Sequence, residues 1–196
     1  MQVLWHLREY IQQGGWIMFP LGAVSVVMWI LIAERWRAFR DLKVKDLRIQ
    51  DAVHAVQGEV VENHGCGLRA QLVRDFLAER TGDPELDREI LQECSLRLRP
   101  GLTRWLSVIA VLAGIAPLLG LLGTVIGMIE TFDVISLFGT GNAKALAGGI
   151  SVALITTQSG LLIAIPGLLL SAWLSKQASA LARHLDEITL VLQHHV

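Results

Sequence analysis

Two long stretches of this chain carry no formal charge, residues 105–129 and residues 145–175. At a rise of about 1.5 Å per residue, either one as a helix is long enough to cross a hydrocarbon core of about 30 Å. A third uncharged run, residues 14–33, is long enough for one further span and stops at Glu34–Arg35. A chain with 53% hydrophobic residues and a mean hydropathy of +0.49 belongs to the integral-membrane class, and its length allows one modest domain. The reading is an all-α integral membrane protein with three transmembrane helices and long cytoplasmic helical extensions.

Neither long stretch is uniformly apolar. Gly114, Ala116, Gly120, Gly123, Thr124 and Gly127 punctuate the first, and Gly123–Gly127 is a GxxxG step. On the second, Gly149, Ala153, Thr156, Thr157, Gly160, Ala164, Gly167 and Ser171 recur at helical spacing. Small residues let helix backbones approach closely, and lipid gives no reward for exposing them. Both stretches therefore pack against protein. With so few spans in one chain, copies of the chain are the expected neighbours. No Asp, Glu, Lys, Arg or His lies in either stretch. Intramembrane ionisable groups mark proton and ion routes. A proton path through these spans thus needs its titrating group from a partner. Threonines in membrane helices also bond the carbonyls of the preceding turn, so Thr124 and Thr157 read either as packing groups or as groups lining a pore.

The charges set an orientation. Arg35, Arg37, Arg40, Lys43, Lys45 and Arg48 follow the first span, and Arg97, Arg99 and Arg104 precede the second. The connection 130–144 has only Lys144, and residues 1–13 have only Arg8. Cationic residues accumulate on the cytoplasmic side, which puts the N-terminus outside and the C-terminus in the cytoplasm. The same cluster suits anionic lipid head groups. Net charge is −1, so no basic field points to nucleic acid. Cys66 and Cys94 stand apart, as two reduced cysteines do. The six histidines form no metal pattern, and no cofactor, metal or catalytic residue is expected.

In chain order, residues 1–13 form a periplasmic interfacial helix with Trp5 and Tyr10 as anchors, and no signal-peptide cleavage site follows. Residues 14–34 are the first span, with Pro20 as a tolerable kink. Residues 35–103 are a cytoplasmic segment of two or three amphipathic helices. Leu68, Leu72 and Phe76 recur at helical spacing there, as do Leu86, Ile90, Leu91, Cys94 and Leu98. Asp83 and Pro84 mark a helix start, and Pro100–Gly101 marks a break before the second span. The second span is 104–130, with Pro117 inside it. A short periplasmic loop, 131–145, makes a tight hairpin to the third span, 146–175. Pro166 lies within that span, and residues 176–196 continue it as a cytoplasmic C-terminal helix along Ala178, Leu181, Leu185, Ile188 and Leu192.

Residues 116–127, APLLGLLGTVIG, resemble the second-span signature of the ExbB/TolQ/MotA family, and ALITTQSGLL at 153–162, followed by Ala164-Ile165-Pro166, resembles its third-span signature. The order of elements matches along nearly the whole chain, and the ExbB branch is the nearest. The resemblance implies an inner-membrane homo-pentamer whose second and third helices line a central pore. That pore holds the single-span helices of an ExbD-like partner, which supplies a membrane aspartate. Proton flow then drives relative motion that a TonB-like protein carries to outer-membrane nutrient receptors.

By motif position Thr124 and Thr157 match the family's pore-facing threonines, and with Thr156 and Gln158 they are expected to line the proton pathway. Pro117, Gly120, Gly123, Gly127, Gly160 and Pro166 serve helix packing and kinks. One departure stands out: Val152 occupies the place of the glutamate that many members carry in the third span. A TolQ-like envelope-maintenance subunit shares these motifs, whereas a flagellar stator normally has four spans. A passive membrane scaffold is the reading in which the glycines serve assembly only.

Overall fold

The computed structural model describes residues 14–44, 49–56, 67–139 and 143–194. The expected interfacial helix at 1–13, Cys66 and His195 lie outside these residues. The described residues are helical, with no strand among them: α1 Met18–Val44, α2 Ile49–Val56, α3 Leu68–Glu79, α4 Pro84–Thr103, α5 Leu106–Phe138 and α6 Ala143–Gln193. The stretches Met18–Leu42, Pro84–Phe138 and Leu146–Gln193 each contain a window long and apolar enough to cross a membrane. The chain divides into two units, one of residues up to Ile32 with Ser107–Ala172, the other of Ala33–Leu106 with Trp173–Val196.

In the first unit α1, α5 and α6 share a core at Leu21, Ala116 and Ala164, flanked by Met18, Val24, Leu119 and Ile163. Pro20 does not kink α1. It is the third helical residue, where its missing N–H is one that the first turn leaves unpaired in any case. Pro117 and Pro166 lie inside α5 and α6, and neither interrupts its helix. Both helices outrun their uncharged stretches. Helix α5 continues past Glu130 and Asp133, both exposed, to Phe138, where Gly139 turns the chain at φ 64°.

The second unit has a different chemistry. Phe76, Leu72, Leu91, Leu185 and Leu192 are fully buried, so the apolar stripe expected along residues 178–192 packs as read. Leu86 does not join that core; it is 45% exposed, and Asp87 is buried in its place. The Asp87 carboxylate accepts from Thr81 N at 2.8 Å, Thr81 Oγ1 at 2.9 Å and Gly82 N at 3.1 Å, and Arg80 Nε stands 3.5 Å away. Burial pushes its pKa up, but the hydrogen bonds from Thr81 and Gly82 and the Arg80 charge outweigh it, and the group sits below the usual carboxylate range. Arg80 also donates to Val56 O at 2.7 Å, which caps α2 with a cation. Asp83 caps α4 as expected, accepting from Glu85 N at 3.1 Å with Pro84 at the first position. Arg88 Nε donates to Gln193 O at 3.2 Å while Gln193 Nε2 donates back to Arg88 O at 3.3 Å. Arg99 pairs with Asp186 farther along the same two helices.

The break before the second span falls later than Pro100–Gly101. Pro100 is accommodated inside α4, and the helix stops at Arg104, with Trp105 in the left-handed region at φ 64°. Arg104 lies over the Trp105 ring, 5.1 Å from its centroid. The end of α4 leaves carbonyls without helical partners. Arg35, only 6% exposed, fills one of those places by donating from Nη1 to Gly101 O at 3.0 Å.

Candidate functional site

Helices α5 and α6 run antiparallel and meet backbone to backbone along their small residues. A Cβ built on Gly127 would stand 2.5 Å from Gly149 O, and one on Gly160 would stand 2.8 Å from Ala116 O. One on Gly120 would lie 3.0 Å from Thr156 O and 3.2 Å from Thr157 Cα. At Gly123 the added atom would run into the Thr156 side chain, and at Gly149 into Thr131 Oγ1. Gly167 faces Ala113 on α5 and Met28 on α1.

The expected neighbours of these stripes were copies of the chain. The structure places their contacts inside one chain, where the stripe of α5 lies against the stripe of α6. Ala153, Thr156, Gly160, Ala164, Gly167 and Ser171 are all buried on α6. Gly114, in contrast, is exposed, with nothing near the position its Cβ would take.

The hydroxyls of this seam fall in two classes. Thr156 is fully buried, and its Oγ1 donates to Val152 O at 2.9 Å and Ala153 O at 3.1 Å. Thr131 is likewise buried and donates to Gly127 O at 2.8 Å. Thr124 and Thr157 remain half-buried. Thr124 donates to Leu121 O at 2.7 Å. Thr157 faces two carbonyls, Ala153 O at 3.2 Å on its own helix and Gly120 O at 3.4 Å across the seam. Gly120 lies one turn before Thr124, so Thr157 is placed beside the stretch of α5 that carries Thr124. Gln158 is exposed on α6. The structure thus draws Thr156 and Thr157 onto the glycine seam and leaves Gln158 outside it.

Val152 is half-buried, and its Cγ1 is 3.7 Å from where a Cβ on Gly15 would stand, in the turn that leads into α1. Sequence reasoning missed Thr131. It lies four residues past Gly127 and extends the same stripe, but it falls beyond Glu130, where the uncharged stretch had already ended. Among the described residues no group of three or more His, Cys, Asp or Glu is arranged to hold a metal ion. Cys94, in the second unit, is buried and free, and burial raises its thiol pKa.

Such a hairpin has dense contacts, no ionisable group in its apolar stretches and two half-open hydroxyls. Comparison with known proteins gives the family. Residues 65–187 match the MotA/TolQ/ExbB proton channel family. A Vibrio cholerae protein named biopolymer transport protein exbB1 is 35% identical over 207 residues, covering 95% of this chain and 89% of its own length. An ExbB-like biopolymer transport protein of Synechocystis is 33% identical over 173 residues, covering 83% of this chain and 68% of its own. The biopolymer transport protein ExbB of Aquifex aeolicus is 41% identical over 81 residues, 41% of this chain and 55% of the relative. The three apolar helices and the two hairpin motifs therefore have one source: the chain is a membrane protein belonging to the MotA/TolQ/ExbB proton channel family.

Proposed function

We propose that this chain is the proton-channel subunit of an ExbB-type energising complex in the bacterial inner membrane. Five copies surround a central pore lined by α5 and α6. An ExbD-like single-span partner sits in the pore and supplies the membrane aspartate that carries the proton. Proton entry moves the partner relative to the ring, and a TonB-like protein passes the work to outer-membrane nutrient receptors. The N-terminus is periplasmic and the C-terminus cytoplasmic, as the basic residues after the first span favour.

One observation carries this reading: Thr124 and Thr157 stay half-open on a hairpin that is otherwise sealed by glycines and has no charge in its apolar stretches. A wall of this kind guides a proton carrier without competing for the proton. Thr124, Thr157 and Gln158 face the pore, while Thr156 sets the wall from within. Each elementary charge that crosses the field supplies about 2.3 kcal/mol per 100 mV. Exposed apolar side chains such as Leu118, Leu162 and Leu169 provide surface for lipid and for neighbouring copies.

The test is proton uptake into liposomes holding this protein, with and without a co-expressed ExbD-like partner, read by an internal pH dye under an imposed potential. Uptake that needs both chains supports the assignment. A co-purifying pair that passes no protons, with or without a TonB-like protein, removes it and leaves a scaffold.

A further inference from the structure

Cations of the second unit differ in what they touch. Arg35 donates to Gly101 O, Arg80 to Val56 O and Arg88 to Gln193 O, while Arg97 pairs with Glu79 and Glu93 and Arg99 with Asp186. Arg40, Arg104 and Lys176 are exposed, and none of them bonds to a carboxylate or a carbonyl among the described residues. Each instead stands with a tryptophan. Arg104 lies over the Trp105 ring, 5.1 Å from its centroid. Arg40 follows Trp36 by four residues on α1, and Lys176 follows Trp173 by three on α6, spacings that put each pair on one helix face. Arg37 shares its face of α1 with Asp41, which offsets it.

The three pairs lie at one level of the fold. With α1, α5 and α6 as spans, the chain leaves the membrane after the first, re-enters on the same side at the second and leaves there again after the third. Trp36, Trp105 and Trp173 mark the ends of the three uncharged stretches on that side. They are 56%, 38% and 44% exposed, an unusual amount of open indole for a surface in water. At the head-group level an indole keeps its ring in the apolar layer, and a long cationic side chain reaches from the same layer to the phosphates. At the opposite end of the spans Trp16, Phe19, Phe132 and Phe138 are exposed too, but the charges beside them are Glu130, Asp133 and Lys144.

Trp105 is the most telling of the three. A φ of 64° is disfavoured for a bulky residue, and a turn alone needs no side chain, since Gly139 makes one at the same φ. What Trp105 adds is a ring on which the Arg104 guanidinium rests. A guanidinium held flat can offer two N–H groups to one phosphate.

We propose that Arg40, Arg104 and Lys176, each with its tryptophan, form a belt that binds the head groups of anionic phospholipids. Phosphatidylcholine has the same phosphate but adds a cationic choline, so the belt prefers a lipid with net negative charge. Arg35 takes no part, because it is buried and bonded to Gly101 O. The belt serves the chain whether or not it conducts protons.

The experiment incubates the detergent-purified full chain with mixed micelles of equal parts phosphatidylglycerol and phosphatidylcholine with matched acyl chains. Mass spectrometry then counts the lipids retained after washing. Phosphatidylglycerol is expected to exceed phosphatidylcholine about fivefold. The combined Arg40→Gln, Arg104→Gln and Lys176→Gln variant is expected to return the ratio to that of the mixture. Trp105→Gly keeps the turn and removes the ring, and is expected to lower the ratio about twofold. Lys176→Gln alone is expected to lower it about twofold as well, which keeps the test open should the combined variant fail to assemble. Arg183 is also exposed and lies about 10 Å farther along α6, so Arg183→Gln is expected to leave the ratio unchanged.

A ratio equal to that of the mixture in the unmodified protein overturns the proposal and leaves the tryptophans to be covered by neighbouring copies. A ratio lowered as much by Arg183→Gln as by Lys176→Gln overturns it too, because any cation on the helix would then serve.

Discussion

Arg35 belongs to a run of six cationic residues after the first span, and composition reads all six as one orientation signal. Its guanidinium is nevertheless buried, bonded to Gly101 O where α4 ends. Nothing in the local sequence distinguishes it from Arg37 or Arg40, because its partner is a carbonyl 66 residues away. Replacing it by Leu leaves that carbonyl unpaired, and the expected cost is about 2 kcal/mol. Hydrogen–deuterium exchange over residues 100–106 should rise in Arg35→Leu; unchanged protection would deny the capping role.

Asp87 was hidden for a similar reason, since a carboxylate at a core position becomes legible only once Thr81 and Gly82 fold over it. Its folded pKa lies below its unfolded value, so the stability it adds is present above the ordinary aspartate range. That stability is lost as pH falls through the lower, folded value. Asp87→Asn should cost about 2 kcal/mol at neutral pH and flatten the acid limb of a stability-versus-pH curve. An acid limb as steep as that of the unmodified protein would contradict this account.

The glycine stripes of α5 and α6 were readable from spacing alone, and so was the continuation of the third helix along Ala178, Leu181, Leu185, Ile188 and Leu192. What spacing does not carry is the identity of the opposing surface. The pairing of Gly120 with Gly160 and of Gly127 with Gly149 depends on where α5 ends, and it reaches Phe138 past two carboxylates that look like a span end. The break at Trp105 was misplaced for a related reason. Pro100 is the strongest breaker in sight, but a left-handed residue ends the helix later.

This packing predicts opposite outcomes for two like substitutions. Gly123→Ala pushes a methyl into Thr156 and should lower thermal stability by about 1–3 kcal/mol. Gly114→Ala meets nothing and should raise it by about 0.5–1 kcal/mol through the reduced freedom of the unfolded helix. Melting of the two variants in one detergent checks both, and equal effects would contradict the seam.

At the scale of the whole molecule, the three spans and the family were legible because lipid imposes length and apolarity, and because two motifs occur in order. The absence of any ionisable group in the two long stretches bears on the proposed assembly, since a channel built from these helices needs a proton carrier from elsewhere. Thr157 is where that requirement meets the structure: it is half-open, it reaches across the seam to Gly120, and it stands beside the α5 segment that carries Thr124.

The most direct measurement is therefore the rate of proton uptake by liposomes that hold equal amounts of assembled complex, comparing the unmodified chain with Thr157→Val and Thr157→Ser. The account predicts that partner-dependent flux falls at least tenfold in the valine variant and survives in the serine variant, with assembly unchanged in both. Full flux through a properly assembled Thr157→Val complex would contradict it.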